Sequence, residues 1–447
     1  MTDFIYLPVE IKNREFYAKL LLALKCIERG SSVVIGARIP PDHRLLKIAR
    51  ATILYKSAAK VDEDHLLCFA EAGHQVYSLD EEGFLVGSLD FFVNKRFTEK
   101  NVRHTAGFFC WGPLQAAALK VRYPDAVDKF SVSGNPRVDL WKNRYFGLYD
   151  KEVSRLQREF GDFVFVPSNF AVTSPFKKEG IVTRLKKMGY IDNAEEQAQF
   201  QELEEKLKKL REAFAIAIAD WSMTLRKVFV IRPHPSEDVG FWVERFKGHP
   251  YVRVSSQYSV SPWAMAAKAV LHNSCTTAIE SGFYAVPTIA YTPEGMTHSI
   301  EKNFANMASH IESDPAAVLA LLKQALRGDL QAVAWPESMS GYLSAGGDSA
   351  AIIAEHLTAT VTAKASPQFN VNHKALWKWK LIKLIVAVDR RGWLPGLERV
   401  KYSLGKFDHT TKAEVREVLQ IFSNRHTNAM KILVSEIEPN LFHLSRA

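Results

Sequence analysis

The chain is 447 residues long, 47% hydrophobic and 24% charged, with a formal charge of +9. That length and apolar fraction can bury a large core and exceed one ordinary domain, which excludes an intrinsically disordered chain and points to two domains. Four cysteines, Cys26, Cys68, Cys110 and Cys275, stand far apart with no CxxC or Cys/His ligand spacing, which argues for reduced intracellular thiols and against a disulfide framework or a zinc site.

The opening MTDFIYLPVE lacks the basic-then-apolar pattern of a signal peptide, and no uninterrupted apolar run approaches the roughly 18 residues that span a bilayer. A cytoplasmic protein, at most peripheral on the inner membrane face, is expected. FIYLPVE reads as a strand, EFYAKLLLALKCIERG as an amphipathic helix closed by Gly30, SSVVIGA as a second strand and, after another helix, TILYKS as a third. QVYSLDEEG, GFFCWG and KFSVSGNPR continue the series to about residue 140, and such alternation predicts a parallel sheet wrapped by helices. A second series starts at DFVFVPSN, residues 162–169, and runs through KVFVIRPHP, YVRVSS, KAVLHNS and VPTIAYTP. Between its first two strands, AEEQAQFQELEEKLKKLREAFAIAIADWSMTLRK reads as one long helix whose later half turns apolar where it docks on the sheet. The expected domains are 1–150, 151–365 and a basic helical appendage, 366–447, with a seam between the first two near residues 142–162.

From Ser366 onward fourteen Lys or Arg face seven Asp or Glu, so +7 of the +9 lies in this stretch. A solvated helical face and attraction to an anionic membrane surface both fit; nucleic acid does not, because no recognised binding module accompanies the charge. HKALWKWKLIKL interleaves Lys374, Lys378, Lys380 and Lys383 with Leu376, Trp377, Trp379, Leu381 and Ile382, which suits either an interfacial helix or one packed on the body.

In doubly wound sheets ligands bind beyond the carboxyl ends of the strands. There the second series places Ser168 and Asn169 after VFVP, Arg232, His234 and Pro235 after KVFVI, and Asn273, Ser274, Thr276 and Thr277 after AVLH, with Glu280 a turn into the next helix. Backbone N–H groups, Arg232 and His234 would suit a phosphate, and Glu280 ribose hydroxyls. Ser, Thr and Asn before a helix are also ordinary caps. Neither GxGxxG nor GxxxxGK[ST] occurs, which disfavours dinucleotide and P-loop binding. In the first series, SLDEEG sets Asp80, Glu81 and Glu82 at a strand end, SGNPRVD offers Asn135, Arg137 and Asp139 at another, and Glu10 follows the first strand. Glu82, then Glu81, is the expected acid/base, with Asp139 a further catalytic candidate that could equally be an ordinary residue of a first helical turn.

Two α/β domains, Arg-Pro-His-Pro after a strand and the Ser/Thr-rich helix start with Glu280 followed by GFYAVPTIAY together resemble a GT-B glycosyltransferase. LPVEIKNREFYAKLLLALKCIERGSSVVIG, SLDEEG and SGNPRVDLW are similar to bacterial surface carbohydrate (capsule and O-antigen) biosynthesis proteins related to ulosonic acid transferases; the likeness covers roughly residues 3–360. It implies two Rossmann-like domains facing a cleft, the first for the acceptor and the second for the nucleotide sugar. It also implies transfer of a ulosonic acid such as Kdo or pseudaminic acid from a CMP donor to a glycan or lipid-linked glycan, with retention, with His234-Pro235 gripping the donor phosphate. No cofactor and no metal are required, since protein cations can meet a monophosphate leaving group. The alternatives are a UDP-sugar 2-epimerase, a polyol-phosphate transferase, and a non-catalytic scaffold of a capsule assembly complex.

Overall fold

The computed structural model describes residues 2–38, 46–47, 50–83, 89–171, 173, 180–187, 189–296, 304–334, 337–361, 370–371, 377, 381, 384–385, 388, 405–407, 409–424 and 430–447. The chain divides into two compact units, one of residues 1–140 with 341–447, the other of residues 141–340.

In the first unit the strands are β1 (Phe4–Val9), β2 (Val33–Ala37), β3 (Leu46–Lys47), β4 (Ala51–Tyr55), β5 (Gln75–Leu79), β6 (Gly107–Cys110) and β7 (Phe130–Val132). Six of them form one sheet in the order β2-β1-β4-β5-β6-β7, every pair parallel. β1, β4 and β6 are buried at every position, as apolar runs covered on both faces must be. The helix Tyr17–Glu28 is buried on nearly all sides because Ser349–Thr358 and Lys412–Ser423 pack against it. Where another helix was expected between β2 and β4, the described residues Leu46–Lys47 form the short strand β3; the remainder of that expectation lies outside the described residues.

In the second unit β8 (Phe163–Pro167), β9 (Val228–Arg232), β10 (Val252–Val254), β11 (Ala269–His272), β12 (Thr288–Tyr291) and β13 (His310–Glu312) lie in the order β10-β9-β8-β11-β12-β13, all parallel. Counted within the unit this is 3-2-1-4-5-6, the doubly wound order of nucleotide-binding sheets. The long expected helix is a single helix, Ala194–Leu225, capped by the Asn193 side chain on the Glu196 N–H. Its apolar later half lies in the core with Phe214, Ile218 and Trp221. The chain is thus α/β, and each unit by itself is built on a parallel sheet accompanied by helices.

The partition differs from the expected boundaries in two respects. The first unit ends at Leu140 rather than about 150, and the chain returns to it at Gly341. The tail carries a helix, Lys412–Ser423, and also β14 (Asn370–Val371), paired with β3, and the strands β15 (Ile432–Glu438) and β16 (Leu441–Arg446). β16 pairs antiparallel with β2 and β15 with β16, which extends the first sheet to eight strands among the described residues. Gly36 permits this: a Cβ there would collide with the Asn440 carbonyl. Of the interleaved tail segment, Trp377 and Leu381 are described; Lys374, Leu376, Lys378, Trp379, Lys380, Ile382 and Lys383 lie outside the described residues. Among the described residues no helix is long and apolar enough to cross a membrane.

Candidate functional site

The second unit brings the three suspected strand ends together. β9, β8 and β11 are consecutive in the sheet, and the strand order reverses between β8 and β11, the position at which a ligand crevice opens in such folds. Asn169 and Asn273 bridge that point reciprocally: the Asn169 N–H donates to Asn273 Oδ1 at 3.2 Å, and Asn273 Nδ2 donates to the Asn169 carbonyl at 3.3 Å. Asn169 Nδ2 also donates to the Ser274 carbonyl at 3.3 Å. Ser274 has φ = +65°, a left-handed conformation that costs a β-carbon-bearing residue energy and is found preferentially at ligand sites.

Arg232 closes β9. Its Nη2 donates to the Tyr258 carbonyl at 2.8 Å, while its Nε is buried without a hydrogen-bond partner. Burial pulls its pKa down, with Cys275 and Glu280 acting in the opposite direction. His234 and Pro235 are exposed on the turn beyond, where His234 Nδ1 accepts the Ser236 N–H at 3.1 Å. Glu237, absent from the sequence-based candidates, fixes that turn to β8: its carboxylate accepts the Ser168 hydroxyl, the Phe170 N–H at 2.5 Å and the Trp242 indole at 3.0 Å. Burial raises its pKa. Thr276 and Thr277 open the helix Thr277–Phe283, and Glu280 within it is buried, its Oε1 accepting from the Ser261 and Tyr284 hydroxyls.

In the first unit the strand order reverses between β1 and β4, and there six carboxylates interleave with six cations. Glu10, after β1, pairs with Lys56, after β4, at 2.8 Å and with Lys406 at 2.5 Å. Burial disfavours the Glu10 charge, but these two ammonium groups hold its carboxyl well below the usual range. Two five-residue π turns deliver other members, Lys12–Phe16 bringing Arg14 and Glu15, and Phe92–Arg96 bringing Arg96. Such turns recur at functional sites. Arg96 grips Asp80 with two nitrogens at 2.8–3.0 Å.

The adjacent Glu81 and Glu82 are driven apart. Glu82 is half exposed, with Arg14 at 3.3 Å and Arg96 at 3.6 Å; burial of the carboxyl opposes its charge, but the guanidinium groups lower its pKa. Glu81 is buried, 3.6 Å from Lys19, with Oε2 lacking a hydrogen-bond partner; burial raises its pKa despite Lys19, with Glu15 adding to the rise. Arg137 donates to the Glu81 carbonyl at 3.3 Å and lies over the Trp111 ring. Asn135 is buried, its Oδ1 accepting the Arg137 N–H at 2.9 Å. Asp139 is fully buried and accepts the Ala350 N–H at 2.8 Å, so it anchors the start of the helix Ser349–Thr358.

No protein-family model and no curated relative matches the sequence. Solved structures do overlay on it. UDP-GlcNAc 2-epimerase of Methanocaldococcus jannaschii, in complex with UDP-GlcNAc and UDP, is 12% identical, with a TM-score of 0.48 over 80% of this chain and 100% of its own. The Neisseria meningitidis UDP-GlcNAc 2-epimerase bound to UDP-GlcNAc is 10% identical, with a TM-score of 0.48 over 80% of this chain and all of its own. The wall teichoic acid polymerase TagF is 10% identical, with a TM-score of 0.44 over 79% of this chain and 87% of its own.

Arg14, Glu15, Lys19, Arg96 and Glu237 were missed by sequence reasoning. Glu15 and Lys19 did leave a signal, two charges four residues apart at the start of an otherwise apolar helical run. Arg96 left none, since it reaches Asp80 from sixteen residues away.

Proposed function

We propose that this chain is a GT-B glycosyltransferase that moves a ulosonic acid of the Kdo or pseudaminic acid type from a CMP donor to a surface glycan. The observation that carries the reading is that Arg232 and His234 follow β9, Asn169 follows β8 and the left-handed Ser274 follows β11, three strands consecutive in one parallel sheet. A phosphate there takes up the free Nε of Arg232 and faces His234, and these donors stabilise the charge that grows as CMP departs. Glu280 serves the ribose, and the reading calls for neither metal nor cofactor.

The acceptor belongs to the first unit. Neighbouring carboxylates with pKa values pushed in opposite directions divide acid/base from nucleophilic work. Glu81, raised, is therefore assigned as acid/base and Glu82, kept ionised, as the nucleophile, which reverses the order of choice reached from sequence. A retaining double displacement needs both groups: a nucleophile that takes the glycosyl group as the bond to the CMP phosphate oxygen breaks, and a base that removes the proton of the acceptor hydroxyl as that oxygen displaces the nucleophile.

The test is binding of CMP, UDP and CDP-glycerol to the full chain by calorimetry, followed by incubation with CMP-Kdo and CMP-pseudaminic acid and labelled acceptors. Binding of CMP in preference to the others, with product carrying the added ulosonic acid mass, is expected. Preference for UDP points to an epimerase, preference for CDP-glycerol to a polyol-phosphate transferase, and silence with all three to a scaffold; each of these removes the proposal.

A further inference from the structure

A cavity lies at the amino ends of the strands of the first sheet. It measures 270 Å³ and is lined by residues that precede or open β1, β4, β5, β6 and β7, among them Thr2, Arg50, His74, Arg103, Thr105 and Lys129. No Asp or Glu lines it among the described residues.

Part of this positive charge has an internal explanation. Lys129 Nζ donates to the carbonyls of Val102, Arg103 and Thr105 at 2.8, 3.0 and 2.9 Å, so all three of its protons satisfy the carboxyl end of the helix Glu99–His104. The rest has none. The guanidinium groups of Arg50 and Arg103 make no hydrogen bond or ion pair among the described residues, although both line the cavity. His74 Nδ1 accepts the Ala51 N–H at 3.1 Å, which leaves the ring's other nitrogen to carry a proton as a donor. Thr105, 1% exposed, has a buried hydroxyl oxygen with no partner. An enclosed hydroxyl without a partner is costly in a finished site and cheap in one completed by a ligand.

We propose that this cavity is an anion site that takes a small phosphate: inorganic phosphate or the phosphate of a small phosphomonoester. Arg50 and Arg103 supply paired N–H donors, of the geometry that phosphate oxygens match, and Thr105 and His74 supply single donors. The volume falls just below the roughly 300–1,000 Å³ of pockets that enclose drug-sized ligands, which suits a phosphate group and not a whole nucleotide sugar. The site lies within the first unit, at the strand ends opposite to those that carry Glu10 and Glu81, and does not depend on the function proposed above.

The full-length protein is titrated with inorganic phosphate and, separately, with a hexose monophosphate, by calorimetry and thermal unfolding, with sodium chloride of matched ionic strength as control. Binding with a rise in melting temperature is expected, and Arg50→Gln combined with Arg103→Gln should weaken it about a hundredfold, since each removes a charged donor pair. Both arginines are exposed, so the double variant should fold; its unliganded melting temperature verifies this. Thr105→Val, which keeps the shape, should weaken binding. Tighter binding of the monoester than of phosphate identifies the ligand source. No binding at millimolar phosphate, an equal effect of chloride, or equal affinity in parent and double variant overturns the site.

Discussion

At the scale of single residues, His234 is exposed and has no part in the core, so its removal should leave the fold intact. His234→Ala is expected to lower transfer about a hundredfold, the effect of one lost preorganised donor at a developing charge, with the melting temperature unchanged. Wild-type turnover in this variant would take His234 out of the mechanism. Glu81 and Glu82 make a sharper pair. Because burial raises the Glu81 pKa, deprotonation and hence acceptor activation should switch on at a pH above the ordinary carboxylate range. Glu81→Gln should abolish that rising limb of the pH–rate profile while donor binding survives. Glu82→Gln should instead abolish a covalent glycosyl adduct detectable by mass spectrometry; an adduct on Glu81 would exchange the two assignments. Before folding, the sequence showed these carboxylates as three acidic residues in a turn. What separates them is Arg14 and Lys19, some sixty-odd residues earlier in the chain, and Arg96 on a separate π turn, and no local pattern encodes that.

At the scale of elements, the apolar strands were legible because both their faces are covered, which leaves an unbroken Val/Ile/Phe run before each polar strand end. The strand-end candidates of the second unit were legible for the same reason: once β8, β9 and β11 are strands of one parallel sheet, their following residues share an edge. β15 was not legible. It lies at the sheet edge with most of its residues exposed or half-buried, so ILVSEIE alternates poorly and offers no buried run. β13, three residues long and partly exposed, hid in the same way. The pairing of β16 with β2 rests on Gly36, and this can be measured. Gly36→Ala should cost about 1–3 kcal/mol of stability, as forced overpacking does, with faster amide exchange through Leu441–Arg446. Unchanged exchange there would mean that the close approach at Gly36 does not hold the hairpin.

At the scale of the whole molecule, the basic tail bears on where the protein resides. Trp377, Leu381, Leu384, Ile385 and Val388 have helical backbone, are exposed, and recur at the spacing of one helical face, within a sequence that interleaves lysines. Leu384→Asp with Val388→Asp should abolish co-sedimentation with anionic vesicles, an association that high salt should also weaken. Failure of the parent protein to bind such vesicles would end the membrane reading. A truncation at Ala365 is a poor substitute, because it also removes the strands that complete the first sheet. That completion has a consequence for biosynthesis. β2 leaves the ribosome early, whereas its partner β16 follows only after the whole of the second unit. At about 5–20 residues per second, the roughly 400 residues between them keep one side of β2 unpaired for about 20–80 s in every round of translation. An open strand edge of that duration recruits other nascent chains or a chaperone, so yield in cells should depend on translation speed and holdase supply more than on the stability of the finished protein.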